Sequence, residues 1–192
     1  MKKLPVDISR KLLKATFKMP EGSGFDVSID DVAEMSGVPR ATLYYYFSGK
    51  DDLVQFYLNE MMDMTSAAIE KAAAMEGSVT QRLEAIMGAV LGAFAAYPRM
   101  CLEMPTAFKA SDDHAEFLRN IDRTVMTPLR EALSDGARSG KIVVKDLDTA
   151  TFVIMGALHQ VAVMRLILTG SLDADEAAEL VIPQLLDGLL PR

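Results

Sequence analysis

The 192-residue chain carries 20 Lys and Arg against 27 Asp and Glu, a formal charge of −7, and half of its residues are apolar. It can therefore bury a core, and taken whole it lacks the basic excess of a protein that coats a polyanion. One cysteine, Cys101, excludes an internal disulfide, and with His114 and His159 it makes no usual ligand spacing, so neither a metal nor another cofactor is expected.

The first residues are basic but offer no apolar stretch of signal-peptide length. Residues 85–97 form the longest charge-free apolar stretch, short of the ~20 residues that cross a bilayer. Residues 149–169 are long enough, but they carry His159, Gln160 and Arg165. A soluble cytoplasmic protein is expected.

Apolar residues recur at three- and four-residue spacings throughout, so an all-α fold is expected. The first helix is expected from Ile8 to Lys18, with Asp7 as N-cap and an apolar stripe at Leu12, Ala15, Thr16 and Met19, stopped by Pro20 and the turn from Gly22 to Gly24. The second starts after Ser28, where Ser28 and Asp31 have capping-box spacing, and stops at Gly37. The third begins at Pro39 and reaches about Tyr45.

Two short helices joined by the tight Ser36-Gly37-Val38-Pro39 turn make a helix-turn-helix at about 27–46, backed by Val32, Ala33, Val38, Leu43 and Phe47. The free face of its third helix carries Arg40, Ala41, Thr42, Tyr44, Tyr45 and Tyr46. Three consecutive tyrosines, whose hydroxyls need water or an acceptor, suit a partly exposed surface better than a core.

Ser48 with Asp51 is expected to cap a long helix that runs to about Met75 and is ended by Gly77-Ser78. Further helices are expected at about 79–96, 99–109, 113–138, 147–169 and 174–190, with kinks at Pro128 and Pro183. The charge divides along the chain in the same place. Residues 1–50 hold eight basic and six acidic groups, residues 51–192 hold twelve and twenty-one, and residues 35–49 hold no carboxylate. Two domains, 1–50 and 51–192, are expected, sharing one continuous helix.

The run from Ser28 through Asp31, Gly37-Val-Pro-Arg-Ala-Thr-Leu-Tyr-Tyr-Tyr-Phe47 and on to Lys50 resembles the DNA-binding signature of the tetracycline-repressor (TetR) family, over about a quarter of the chain. The resemblance implies a homodimeric transcription factor, usually a repressor, that binds a palindromic operator in double-stranded DNA. Its third helix would enter the major groove, and its C-terminal domain would bind a small molecule that releases it. On this reading Arg40 reaches a guanine edge or a phosphate, Thr42 a base or backbone oxygen, and Ser28, Tyr44, Tyr45, Tyr46 and Lys50 complete the DNA contacts with Ala41. The family commonly has Ser or Thr where this chain has Pro39, Gly where it has Ala41 and His where it has Tyr46. Ala41 adds a methyl where backbone and phosphate approach closely, so that this contact either loosens or becomes an apolar contact with a thymine methyl.

The resemblance places dimerisation in the last two helices, at about 147–190. Residues 150–168 are apolar on two stripes, Phe152, Met155, His159, Ala162 and Leu166 on one and Ile154, Leu158, Val161 and Leu168 on the other. Such a helix needs two partners, one of which the second protomer can supply through Leu180, Val181, Leu185, Leu186, Leu189 and Leu190. Thirteen methionines fit either ordinary core packing or an adaptable apolar cavity. A cavity for a small apolar or amphipathic effector would be lined by Phe94, Met104, Phe117, Ile121, Met155 and His159.

No Cys-His or Ser-His-Asp arrangement, HExxH or phosphate-binding glycine loop is present, so an enzyme is not expected. The competing reading is a helical small-molecule carrier or interaction module without specific DNA binding.

Overall fold

A computed structural model of the chain describes residues 4–15, 28–98, 101–102 and 114–188, with backbone only at 114–117. Among the described residues every regular element is helical and no strand occurs. The chain divides into two compact units, Met1–Glu60 and Met61–Arg192.

The first unit holds α1 (Val6–Ala15), α2 (Ile29–Ser36), α3 (Arg40–Tyr46) and the start of α4 (Lys50–Ala73). α1 begins two residues earlier than expected, because the Pro5 carbonyl accepts the first helical bond from the Ser9 amide at 3.0 Å. Asp7 therefore sits inside the first turn, where its charge favours the helix N-terminus, and is not the N-cap. Leu12 and Ala15 are buried as expected, while Thr16, Met19 and the stop at Pro20 lie outside the described residues.

α2 opens with a full capping box. The Asp31 amide donates to Ser28 Oγ at 3.1 Å, and the Ser28 amide donates to Asp31 Oδ2 at 2.9 Å. It closes on Gly37 at φ +68°, a left-handed residue that reverses the chain without the steric cost a Cβ would add. Pro39 was expected to be the first residue of α3 and is instead its N-cap. Its extended ψ of 137° keeps it out of the helix, and its carbonyl accepts from the amides of Thr42 and Leu43.

The acidic partner of Ser48 is Asp52, not Asp51. The Ser48 amide donates to Asp52 Oδ2 at 2.8 Å, and the Ser48 hydroxyl donates to the same oxygen. The reason is helical phase. The Gly49 carbonyl takes the first bond of α4 from Leu53, which makes Asp52 the third residue of the helix, the position that reaches back. Leu12, Val32, Ala33, Val38, Leu43 and Phe47 form one buried cluster with Leu53, Phe56 and Tyr57 of α4.

The second unit contains the remainder of α4, then α5 (Val79–Ala96), α6 (His114–Ile121), a π-helical turn (Asp122–Met126), α7 (Thr127–Arg138), α8 (Leu147–Thr169) and α9 (Ala174–Asp187). α5 is the central element, burying Leu83, Ile86, Met87, Val90, Leu91 and Phe94 and packing on α7, α8 and α9. Residues 98, 101 and 102 are helical, and the rest of the helix expected at 99–109 lies outside the described residues.

The single helix expected at 113–138 is divided instead. Pro128 lies in the first turn of α7, where its missing amide costs nothing, and the chain ahead of it widens into the π-helical turn. α8 is long and apolar enough to cross a membrane, yet one face, Thr151, Ile154, Leu158, Ala162 and Leu166, is buried in its own unit. That face mixes residues from both expected stripes, because the two stripes lie side by side on the helix. Arg130 fixes the approach of α8 to α7, donating to Asp148 at 2.6 Å and pairing with Asp122 at 3.3 Å.

Candidate nucleic-acid interface and ligand cavity

In the first unit α3 is held from behind by Leu43, fully buried, and by Phe47 just beyond it. That anchoring turns Arg40, Ala41, Tyr44 and Tyr45 outward, with Tyr44 56% and Tyr45 61% exposed. Thr42 and Tyr46 are only half exposed. The Tyr46 ring rests against the core and meets Tyr45 edge to face at 5.0 Å, so the two tyrosines brace each other and expose different amounts of ring.

Ser28 and Lys50 are exposed at the starts of α2 and α4. Helix starts present amides to an anion, which is the chemistry a phosphate needs. The Ser28 hydroxyl donates to Asp31 at 2.6 Å, and this bond with the Ser28 amide holds the Asp31 carboxyl below its ordinary value. Sequence reasoning missed one member of this face. Asp30 lies 3.4 Å from Arg40 Nε, and its Oδ1 is shielded from water without a hydrogen-bond donor.

The second unit holds a partly open cavity of about 320 Å³, at the small end of the range for sites that hold small molecules. α4 contributes Met61, Met62 and Thr65, and α5 contributes Val90, Ala93 and Phe94. Leu118, Ile121, Val125 and Met126 come from α6 and the π-helical turn, and Phe152, Met155, Gly156 and His159 from α8.

Of the six residues expected to line such a site, the structure brings Phe94, Ile121, Met155 and His159 together. Phe117 lies on α6 with its side chain outside the described residues, and Met104 lies outside them altogether. Thr65 and Gly156 were not anticipated. The available signals were that Thr65 follows Met61 by one helical turn and that Gly156 adjoins Met155. Gly156 is exposed, and a Cβ added there would meet no atom within 4 Å.

Two contacts hold His159 in place. Its ring meets Phe94 edge to face at 5.5 Å, and its Nε2 lies 2.9 Å from the carbonyl oxygen of Cys101. The Cys101 thiol is fully buried, and burial pushes its pKa up to about 12. Among the described residues no group of three or more His, Cys, Asp or Glu could hold a metal ion.

The family described as bacterial regulatory proteins, tetR family, matches residues 12–55, and a tetracyclin repressor-like C-terminal domain matches residues 76–189. The HTH-type transcriptional repressor KstR of Mycolicibacterium smegmatis is 28% identical over 129 residues, covering 66% of this chain and 63% of that protein, so the chain spans less than two thirds of that relative's length. The chain shares its fold with the fatty acid degradation regulator FadR of Bacillus halodurans, at a TM-score of 0.79, 21% identity and full coverage of both chains. It likewise matches FadR of Bacillus subtilis, solved in complex with stearoyl-CoA, at a TM-score of 0.75 and 16% identity, covering 93% of this chain and 98% of that one.

Proposed function

Because the chain belongs to the TetR family of bacterial regulatory proteins, we propose that it is a cytoplasmic DNA-binding transcriptional repressor, homodimeric on a palindromic operator and released by a small apolar or amphipathic molecule. The observation that carries this reading is α3, a short helix anchored on a buried back, exposing Arg40, Tyr44 and Tyr45 on a segment without carboxylates. Arg40 reads a guanine edge or holds a phosphate, Thr42 and Ala41 touch bases, and Ser28, Tyr44, Tyr45, Tyr46 and Lys50 hold the backbone.

Homodimerisation is supported by the outer face of α8 and α9, which leaves Val153, Ile167, Leu168 and Leu180 exposed, Leu168 at 73%. Large apolar groups left exposed on these two helices suit a partner surface. Ile167→Glu is expected to convert dimers to monomers in sedimentation velocity.

The cavity in the second unit is the effector site on this reading. The apolar character of its described wall suits a hydrocarbon body, such as the acyl part of the stearoyl-CoA held by the Bacillus subtilis protein. An effector that binds one dimer conformation more tightly shifts the population toward it, by no more than its difference in affinity for the two. Release follows when the favoured conformation no longer presents its two α3 helices one DNA turn apart, ~34 Å.

Selection of bound fragments from genomic DNA, followed by fluorescence anisotropy on the enriched site, tests the proposal. A palindromic site is expected, with binding that weakens steeply as salt rises and is lost on combining Arg40→Ala with Tyr45→Phe. The cavity also favours a second reading, a carrier without specific DNA binding. Tight binding of a small molecule by a protein that ignores all DNA at low salt would establish that reading instead.

A further inference from the structure

The start of α2 brings carboxylates to the start of α3. Asp30 and Asp31 occupy the first turn of α2, and Arg40 is the first residue of α3. Asp30 Oδ1 stands 3.4 Å from Arg40 Nε, with the two side chains 42% and 65% exposed. Among the described residues that oxygen takes no hydrogen bond, and water does not reach it, so the guanidinium is the charge it faces. Asp31 feels the same cation: its carboxyl is held low by the Ser28 hydroxyl and amide and, to a lesser degree, by the Arg40 charge. The contact with Asp30 uses Nε, whereas a fork matching the O6 and N7 acceptors of guanine can be made by the two terminal nitrogens.

Arg40 has two kinds of partner on DNA, a guanine edge or a phosphate, and the neighbouring carboxylate treats them differently. Guanine O6 and N7 are uncharged, so a guanidinium that engages them can keep its contact with Asp30. A phosphate brings a full negative charge to a guanidinium already shared with Asp30, and the two anions repel. Drawing the guanidinium away to escape that repulsion strands a carboxylate oxygen that has no water to replace it. The selection works through charge and not through rigidity, since both side chains are substantially exposed. We infer that Asp30 commits Arg40 to a guanine edge and away from phosphate, which makes Asp30 a positioning residue that sets specificity without reading a base itself. The inference rests on the first unit binding DNA as proposed above.

The test uses the full-length protein and its selected operator, with each guanine of one half-site replaced in turn by 7-deazaguanine, which pairs normally but lacks N7. In the wild type one such replacement is expected to weaken binding about three- to tenfold, the ratio one net hydrogen bond supplies, and Arg40→Ala is expected to abolish that penalty. Asp30→Asn keeps the shape of the side chain and removes its charge. It is expected to tighten binding to operator and to scrambled duplex alike while shrinking the 7-deazaguanine penalty toward one. Asp30→Ser, also uncharged, provides a second variant with the same expectation. Glu34→Gln removes a charge one turn further along α2 and is expected to leave the penalty unchanged, which separates the pairing from a general loss of negative charge. A penalty that persists at full size in the Asp30 variants, one that falls equally in Glu34→Gln, or the absence of any guanine whose penalty depends on Arg40 would overturn the inference and leave specific DNA binding standing. Selection that enriches no site would overturn the DNA-binding reading and the inference with it.

Discussion

Arg40 Nε and Asp30 Oδ1 stand 3.4 Å apart, joining the start of α2 to the start of α3 across the helix-turn-helix. Both side chains are substantially exposed, so the pair contributes at most about 1 kcal/mol and does not tie the guanidinium down. A carboxylate beside the DNA-contact face nevertheless repels phosphate. Asp30→Asn is expected to tighten operator binding several-fold at low salt, an advantage that shrinks as salt rises, whereas Arg40→Ala weakens it by about 1 to 3 kcal/mol if the side chain reads a base. Anisotropy titrations over a salt series, on the operator and on single-base variants, separate a base contact from a phosphate contact.

Among the described residues, three carboxyls contribute to the acid limit of the fold. Asp31 is held low by the Ser28 hydroxyl and amide, Asp52 by those of Ser48 and Asp146 by the side chain and amide of Thr149. Each has an ordinary value of 3.8 in the unfolded chain and a lower one when folded, so the folded state binds fewer protons. Their contribution is complete above the unfolded value and is lost as pH falls through the folded ones. Urea midpoints should therefore hold steady down to about pH 5 and drop below about pH 4, with a shallower acid limb in Asp31→Asn and Asp52→Asn.

Gly136→Ala is expected to destabilise the second unit. Gly136 is buried on α7, and a Cβ there would lie 2.7 Å from Val79 Cγ1 and 2.8 Å from Ile142 Cδ1 and Cγ1. β-branched side chains in a packed site cannot withdraw freely, so overpacking costs about 1 to 3 kcal/mol. A melting temperature several degrees lower by calorimetry is the expected readout.

Cys101 should resist thiol reagents while the protein is folded. With its pKa pushed up to about 12, about one thiol in ten thousand is ionised at pH 8, and the thiolate is the nucleophile. Negligible reaction with Ellman's reagent in the native protein, and rapid stoichiometric reaction in guanidinium chloride, are expected.

What could be read from the sequence was what depends on near neighbours. Ser28 with Asp31 and the stop at Gly37 are settled within a few residues, and both occur as the spacing predicts. Ser48 shows the limit of such reading. Asp51 and Asp52 are chemically equal candidates, and the choice turns on whether the helix starts from Ser48 or Gly49, which the packing of Leu53 and Phe56 into the core decides. Pro128 announces a break in regular bonding but not its form, and the chain widens there into a π-helical turn. On the cavity wall, periodicity pointed to Met155 and His159, residues on one face of one helix. Thr65 escaped because its place depends on which part of α4 is packed opposite α8, a long-range matter that no local pattern encodes.

Gly156 is a place where the wall of the cavity can change without disturbing the core. The position lies in the wall, has no neighbour within 4 Å of a prospective Cβ, and is remote in sequence from Thr65 and Cys101. A Cβ at this one site has room without displacing a neighbour, so the wall can be altered there while the rest of the core stays in place. A lineage could thus reshape this stretch of the wall by a single codon, without repacking the buried face of the same helix.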